Sequence, residues 1–338
     1  MKSIFLPRLV NGPFHDPALY IRIFGERHAL LFDLGDISRL SPSEIMRLSD
    51  VFISHTHIDH FIGFDHLLRI VLGRDKKVRF YGPRGLIGNI RGKLAGYTWN
   101  LVDDYRLELE ATEMGRSTRK TRLFSCRKRF RDEEDLGTRP LGDAVLDTPL
   151  YSVRATALDH RTPCLAYALE EKVHINVNKD RLLKSGMVVG PWLSEMKRLY
   201  REGNLEMEID VPTAQGGSMR RTAGRLMDEL AEVAEGRKIV YISDIVHTRE
   251  NEKAVLQLAE GADIIYCEAA FLDRDRDRAR EKSHLTAAQA GRLAGLSGAG
   301  RLEVFHLSPR YQGGEEEIRR EARDSFLKFR RGGSADQT

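Results

Sequence analysis

The sequence is short of cysteine, of long apolar runs and of charge imbalance. Its three cysteines, Cys126, Cys164 and Cys267, are odd in number and far apart, which fits a reducing compartment better than a disulfide framework, so a cytoplasmic protein is expected. No run of about 18 apolar residues occurs, so no membrane span is expected. Met1 to Val10 holds one lysine and a short apolar stretch, but Pro7 and Arg8 interrupt it and no small-residue cleavage site follows, which argues against a secretory leader. A formal net charge of +4 is too small to attract a polyanion by itself, and local clustering must supply any such field. Internal repeats and low-complexity tracts are also missing. At 338 residues with 41% hydrophobic content, the chain can bury a sizeable core in one large domain or two ordinary ones.

What is present is concentrated in Ser54-His55-Thr56-His57-Ile58-Asp59-His60, directly after the apolar run Val51-Phe52-Ile53. Ring nitrogens beside a core strand need partners, and a metal ion is the partner that this density of imidazole suggests. In extended backbone His55, His57 and Asp59 recur with period two and project to one side, while a bend swings His60 onto a second centre. Further candidate donors end other predicted strands. Tyr151 to Leu158 leads to Asp159-His160, Lys238 to Ile242 to Ser243-Asp244, and Leu302 to Phe305 to His306. Nitrogen and carboxylate donors without cysteine favour two Zn2+, with Mn2+ or Fe2+ as alternatives. His55, His57 and His160 then serve one ion, Asp59, His60 and His306 the other, and Asp244 bridges. Such a pair activates water as a bridging hydroxide and clamps the attacking and departing oxygens of a phosphoryl displacement.

The intervening pattern is α/β. Leu19 to Phe24 and Ala29 to Leu34 read as a hairpin, Ser41-Pro42 opens a helix, and Phe64, Leu67, Leu68 and Val71 form an apolar helical stripe. Strand-like Tyr105 to Ala111 and Thr121 to Cys126 flank a basic run from Arg116 to Arg131 that includes Phe124 and Phe130. It suits phosphate contact with stacking, or equally a solvated hairpin balanced by residues 132–135. Asp180 to Lys184 and Trp192 to Tyr200 read as short helices around Gly190-Pro191, with Lys184, Lys197 and Arg198 among their cations. They form either a basic arm or an ordinary helical hairpin. Arg274 to Lys282 reads as a solvated charged helix. The expected organisation is one domain over 1–338, with a basic insertion at 113–140, an inserted arm at 172–206 and a disordered tail at 332–338.

The set His-x-His-x-Asp-His with His160, Asp244 and His306 resembles the metallo-β-lactamase superfamily, which implies an αβ/βα four-layer sandwich. Within it the chain is similar to ribonuclease Z, the endoribonuclease that removes 3′ trailers from precursor tRNA. Ser54 to Gly63, Gly190-Pro191-Trp192-Leu193, Ser283-His284-Leu285-Thr286 and His306-Leu307-Ser308-Pro309-Arg310-Tyr311 carry the likeness, which spans about residues 28 to 312. The resemblance implies that Asp59 is both metal ligand and general base, and that Glu268 and His284 protonate the leaving 3′ oxygen. It also implies that Gly190 and Pro191 mark an arm gripping tRNA, with Lys184, Lys197 and Arg198 as its phosphate contacts, in a homodimer where one subunit's arm serves the other's site.

The sequence departs from that pattern where it would meet RNA. Cys267-Glu268-Ala269-Ala270 stands where the family has His-Glu-Ala-Thr, Ile245 follows Asp244, and Leu9 to Ala18 lacks the usual serine-rich entry with its arginine. Three readings follow: a dinuclear zinc phosphodiesterase acting on precursor tRNA, a metallo-hydrolase of a small phosphodiester, cyclic nucleotide, lactone or thioester, or an RNA-binding protein with a non-catalytic metal site.

Overall fold

In the computed structural model, which describes residues 3–330, the first sheet begins at Phe5–Leu9 (β1) and continues through the hairpin Leu19–Ile23 (β2) and Ala29–Phe32 (β3). The tail expected over 332–338 lies outside the described residues. Leu48–Phe52 (β4), Lys77–Pro83 (β5), Glu108–Met114 (β6), Thr118–Ser125 (β7) and Glu134–Pro140 (β8) complete eight strands in sequential order. The strands from β3 to β6 run parallel, and antiparallel hairpins extend the sheet on either side.

Helices Pro42–Arg47 (α1), Ile58–Phe61 (α2), Phe64–Val71 (α3) and Leu86–Ala95 (α4) join these strands. Ser41 caps α1 in a reciprocal capping box with Glu44, with Pro42 in the first turn, so the start is where the sequence placed it. Ile45, Phe64, Leu67, Leu68, Val71, Ile87, Ile90 and Leu94 pack with strand residues in one apolar cluster. Their helical spacing is the reason these segments lie on the sheet.

After a two-residue strand, Leu146–Asp147 (β9), come Tyr151–Asp159 (β10) and Pro163–Glu171 (β11). The chain then makes a smaller unit from His174–Val177 (β12), Lys179–Lys184 (α5), Trp192–Arg201 (α6), Glu208–Pro212 (β13), Ser218–Thr222 (β14), Ala223–Leu230 (α7) and Ala231–Ala234 (β15). It returns with Lys238–Ile242 (β16), Arg249–Ala259 (α8), Ile264–Glu268 (β17), Arg276–Lys282 (α9), Ala287–Leu296 (α10), Arg301–Phe305 (β18) and Glu315–Arg330 (α11). The second sheet runs β18-β17-β16-β11-β10-β9, with β16, β17 and β18 parallel.

The larger compact unit comprises, among the described residues, Ile4–Val145, Val153–Leu169 and Lys238–Arg330. Within it an aromatic layer lies between the sheets. Phe32, Phe52 and Tyr81 stack along the first, with ring centroids 4.9 and 5.0 Å apart, and meet Tyr167 and Tyr241 of the second. The Tyr167 hydroxyl donates across the layer to the Ile53 carbonyl at 2.7 Å. Helices α8, α10 and α11 cover the outer face of the second sheet through Val255, Leu258, Ala290, Leu293, Ile318 and Phe326. The layers are helix, sheet, sheet, helix, as the αβ/βα expectation required.

The smaller unit comprises Glu170–Arg237 with Leu146–Ser152. Its core is Trp192, Met196 and Leu199 of α6 with Leu182, Ile209, Val211, Leu226 and Leu230. The segment beyond residue 206 thus folds with the two helices read from the sequence. The hairpin β13–β14 and the pair β12–β15 escaped notice because Ile209 and Val211 are the only apolar positions of β13 that alternate, amid exposed charge.

The basic run settles as sheet. Arg122 pairs with Asp135 and Glu133, Arg129 with Asp103 and Lys128 with Glu134. Phe124 and Phe130 are core residues, the latter edge-on to Trp99 at 4.8 Å, so neither offers a face for stacking on a base.

Two glycines fix where the histidine segment sits. The Leu34 amide donates to the His60 carbonyl at 3.0 Å and the Gly63 amide to the Leu34 carbonyl at 2.9 Å. A Cβ on Gly63 would stand 2.2 Å from the Gly35 carbonyl oxygen, and one on Gly35 would stand 2.6 Å from the Asp59 carbonyl oxygen. Gly63→Ala is therefore expected to push α2 away from the loop after β3 and to cost about 1–3 kcal/mol, read as a lowered denaturation midpoint.

Candidate metal centre

The histidine segment leaves β4 in extended backbone only as far as His57, which caps α2 with ψ near 157°. Asp59 and His60 lie on the single turn of α2, so the period-two expectation holds for His55 and His57 alone. The remaining donors follow strand ends in the larger unit: His160 after β10, Asp244 after β16, and His306 after β18. His306 has φ +56° and Asp33, after β3, φ +57°, left-handed conformations that Asp and His tolerate better than bulkier residues.

All seven expected donors come together. His55, His57, His160 and Asp244 form one group with donor atoms within 4.8 Å of one another, and Asp59, His60 and His306 form a second. Asp244 lies between them, its Oδ2 3.4 Å from His60 Nε2, 3.6 Å from His160 Nε2 and 3.8 Å from His55 Nε2, and its Oδ1 3.3 Å from His306 Nε2.

Proton accounting shows what these atoms need. The Ser54 hydroxyl donates to Asp33 Oδ2 at 2.8 Å and so accepts from His55 Nδ1 at 3.0 Å. His60 Nδ1 donates to Asp33 Oδ2 at 2.8 Å, and His160 Nδ1 to the Ser283 carbonyl at 2.8 Å. A neutral ring that has committed its proton at Nδ1 presents a bare lone pair at Nε2. His55 Nε2, His60 Nε2 and Asp244 Oδ1 are buried and make no hydrogen bond. Lone pairs facing carboxylate oxygens in a dry site repel one another unless a cation stands between them. The residues therefore fit a metal, held by ring nitrogens whose far sides are tied to an acid, a hydroxyl or a carbonyl.

The electrostatics agree. Burial, then the neighbouring His60, pulls His55 down to about 3, and burial followed by His160 lowers His57. Burial would raise Asp59, but the His60 and His306 rings hold it down to about 2. Burial works the same way on Asp244, which His306 and His60 nevertheless keep well below the carboxylate range. Burial opposes charge on His60, yet Asp244 and Asp33 outweigh it and drive the ring well above its ordinary value, so that its Nε2 takes a proton wherever a metal does not. The cluster demands positive charge at its centre.

Beside it, His284 Nδ1 lies 2.9 Å from Glu268 Oε2, while the Ile245 amide donates to Oε1 at 2.7 Å. Burial lowers the ring's pKa, and the Glu268 charge and hydrogen bond reverse this and raise it to about 9. His284 also lies close enough to Asp244 and His306 to form a third trio of donors, although Glu268 occupies its Nδ1. A cavity of about 440 Å3 opens onto Asp59, His284 and His306, with His15, Arg278 and Lys282 also in its wall.

The expected arm residues belong to the smaller unit. Lys184 is exposed near the C-terminus of α5, Pro191 opens α6, and Gly190 packs on Trp192. Arg198 is engaged by Glu202 at 2.7 Å, and burial followed by Arg201 lowers the half-buried Lys197.

Two features were missed from the sequence. Asp33, fully buried, accepts from the Ser54 amide, the Ser54 hydroxyl, His60 and the Tyr241 hydroxyl. Its signal was there, since an acid ending the apolar run Ala29–Phe32 repeats the pattern of Asp244. Arg278 and Lys282 were set aside as solvated charge because nothing in a charge run says which face meets a cavity. All three cysteines are buried; Cys164 lies nearest the donors, its thiol donating to the Asp244 carbonyl at 3.3 Å. Burial, then Asp244, raises that thiol well above its usual range, which keeps it a thiol and not a ligand.

No known family model matches the chain. Ribonuclease Z of Deinococcus radiodurans is 29% identical over 309 residues, 90% of each chain. Ribonuclease Z of Methanosarcina acetivorans is 28% identical, covering 90% of this chain and 87% of the relative. Among solved structures, the metallo-β-lactamase fold protein YhfI of Bacillus subtilis superposes with a TM-score of 0.54 at 16% identity, over 95% of this chain and 92% of its own. The short form of human tRNase Z does so with 0.50 at 20% identity, over 91% and 93%. The fold is that of the metallo-β-lactamases, and the resemblance to ribonuclease Z holds along most of the chain.

Removing metal with a chelator should lower the melting temperature, and restoring it at about 100 times its Kd should return about 2.7 kcal/mol. Asp33→Asn should weaken metal affinity about 10- to 100-fold in a chelator competition, because His60 and Ser54 lose the charge that orients them.

Proposed function

We propose that this divergent relative of ribonuclease Z holds two zinc ions and hydrolyses a phosphodiester of RNA, the 3′ trailer junction of precursor tRNA. His55, His57 and His160 would hold one ion, Asp59, His60 and His306 the other, with Asp244 shared. The observation that carries the reading is this pair of donor groups meeting at one carboxylate, in a chain similar along nine-tenths of its length to proteins named ribonuclease Z. Bound ions would supply an acidified water and charge neutralisation at the phosphate.

The chain's own residues do the rest. Asp59, ionised and at the cavity wall, is placed to take a proton from the attacking water. His284, kept protonated near neutral pH by the negative charge of its carboxylate partner, faces the same cavity and hands a proton to the departing 3′ oxygen. Glu268, pinned by the Ile245 amide, fixes which ring nitrogen stays occupied. RNA backbone shape suffices to present the bond, so little base reading is needed. The smaller unit supplies phosphate contacts through Lys184, Lys197 and Arg198 beside Gly190-Pro191, and a homodimer would let one subunit's arm serve the other's site.

Incubating the metal-loaded protein with a labelled tRNA precursor beside a small chromogenic diester tests the reading. Both should be cleaved by the wild type, and Asp59→Ala should cleave neither; robust cleavage by that variant sinks the mechanism. Turnover of the small diester without tRNA cleavage would overturn the RNA assignment. His284→Ala should lose about 10²- to 10⁴-fold in kcat on RNA, but far less on a nitrophenyl diester, whose leaving group needs no proton. Lys184→Ala should weaken tRNA binding and reduce its salt dependence by about one counterion.

A further inference from the structure

The cations in and just before α9 differ in their surroundings, and Arg280 is exposed and outside the cavity wall. Arg276, on its first turn, is paired with Asp273 at 2.6 Å, and Arg274, just before the helix, with Glu317. Arg278 and Lys282 are exposed, contribute to the wall of the cavity that contains Asp59, His284 and His306, and their side chains make no ion pair or hydrogen bond among the described residues. Four residues apart, they project from the same face of the helix one turn from each other. Unneutralised cations concentrated at the mouth of a cavity attract an anion there.

Their position is held by the site itself. Ala279 is buried under the helix, and α9 stops at Ser283, whose φ of +67° is a left-handed cap. The His284 amide turns back to the Ala279 carbonyl at 2.9 Å, the Ser283 carbonyl receives His160 Nδ1 at 2.8 Å, and His284 meets Glu268. The backbone that carries Arg278 and Lys282 therefore ends in hydrogen bonds to two histidines of the catalytic cluster, and the cations are kept in register with it.

We infer that Arg278 and Lys282 form a phosphate subsite that receives the phosphate next to the scissile one in a nucleotide chain. A guanidinium offers a planar fork and an ammonium a point charge, together a match for one phosphate group. A small diester has a single phosphate and leaves the subsite without a ligand, whereas every internal bond of a polynucleotide has a neighbour to fill it. The subsite thus selects chain substrates over small esters. This inference rests on the phosphodiesterase reading of the same cavity.

Calorimetric binding to the metal-loaded protein tests it without depending on turnover. Adenosine 3′,5′-bisphosphate should bind at least ~10-fold more tightly than adenosine 5′-monophosphate, the worth of one charge-assisted contact. In Arg278→Ala/Lys282→Ala that advantage should fall below ~2-fold, while Arg276→Ala, which removes a paired cation from the same helix, should retain it. An equal affinity for the two nucleotides in the wild type, or an advantage that survives the double substitution, overturns the proposal. Cleavage of the tRNA precursor is scored in parallel. A bisphosphate preference without RNA cleavage leaves the subsite standing and defeats the tRNA reading, and RNA cleavage without the preference does the reverse.

Discussion

The centre depends on one buried carboxylate. Asp33 lies at the end of β3, and its two oxygens collect the Ser54 amide and hydroxyl and the His60 ring from the first sheet's side and the Tyr241 hydroxyl from the second. Four donors compensate the desolvation of a charge that would otherwise cost several kcal/mol to bury. In return Asp33 settles the tautomers of His60 and, through Ser54, of His55, so that both present bare Nε2 atoms to Asp244. Without it the rings would be free to satisfy themselves with one another, and the pull on a cation would weaken.

The sandwich makes this economical. His160, Asp244 and His306 each sit just past the end of a strand, so burial fixes the strand and the next residues inherit its position. The aromatic layer of Phe32, Phe52, Tyr81, Tyr167 and Tyr241 holds the sheets at constant separation below the donors. Left-handed residues at Asp33, Arg161, Ser283 and His306 then turn the chain abruptly where a strand or helix ends. Such conformations cost about 1–3 kcal/mol each for ordinary side chains, and they gather around the one place where backbone direction matters most.

Much of this was legible from the residues. The clustered imidazoles, the acid or histidine after each apolar run, and the capped start of α1 are local signals that burial reinforces. What stayed hidden was relational. Asp59 was read as extended because nothing in six residues announces the helical turn that Gly35 and Gly63 make room for. Phe124 and Phe130 looked available for stacking because a basic run conceals which of its faces is packed. The cations from Arg274 to Lys282 looked uniform because pairing with Glu317 or Asp273 is a fact of three dimensions. The hairpin β13–β14 was passed over since two apolar side chains make a weak alternation.

The meeting of the loop after β3 with α2 has an effect on how this centre tolerates change. What presses together there is main chain on main chain, with two glycines as the spacers. Substitutions in the surrounding side chains alter packing volume but leave that spacing as it was, so a lineage can drift widely in sequence while the donor atoms keep their places. The same contact makes the centre brittle in one respect, since the smallest addition of all, a single methyl group, is the one it has no room to absorb.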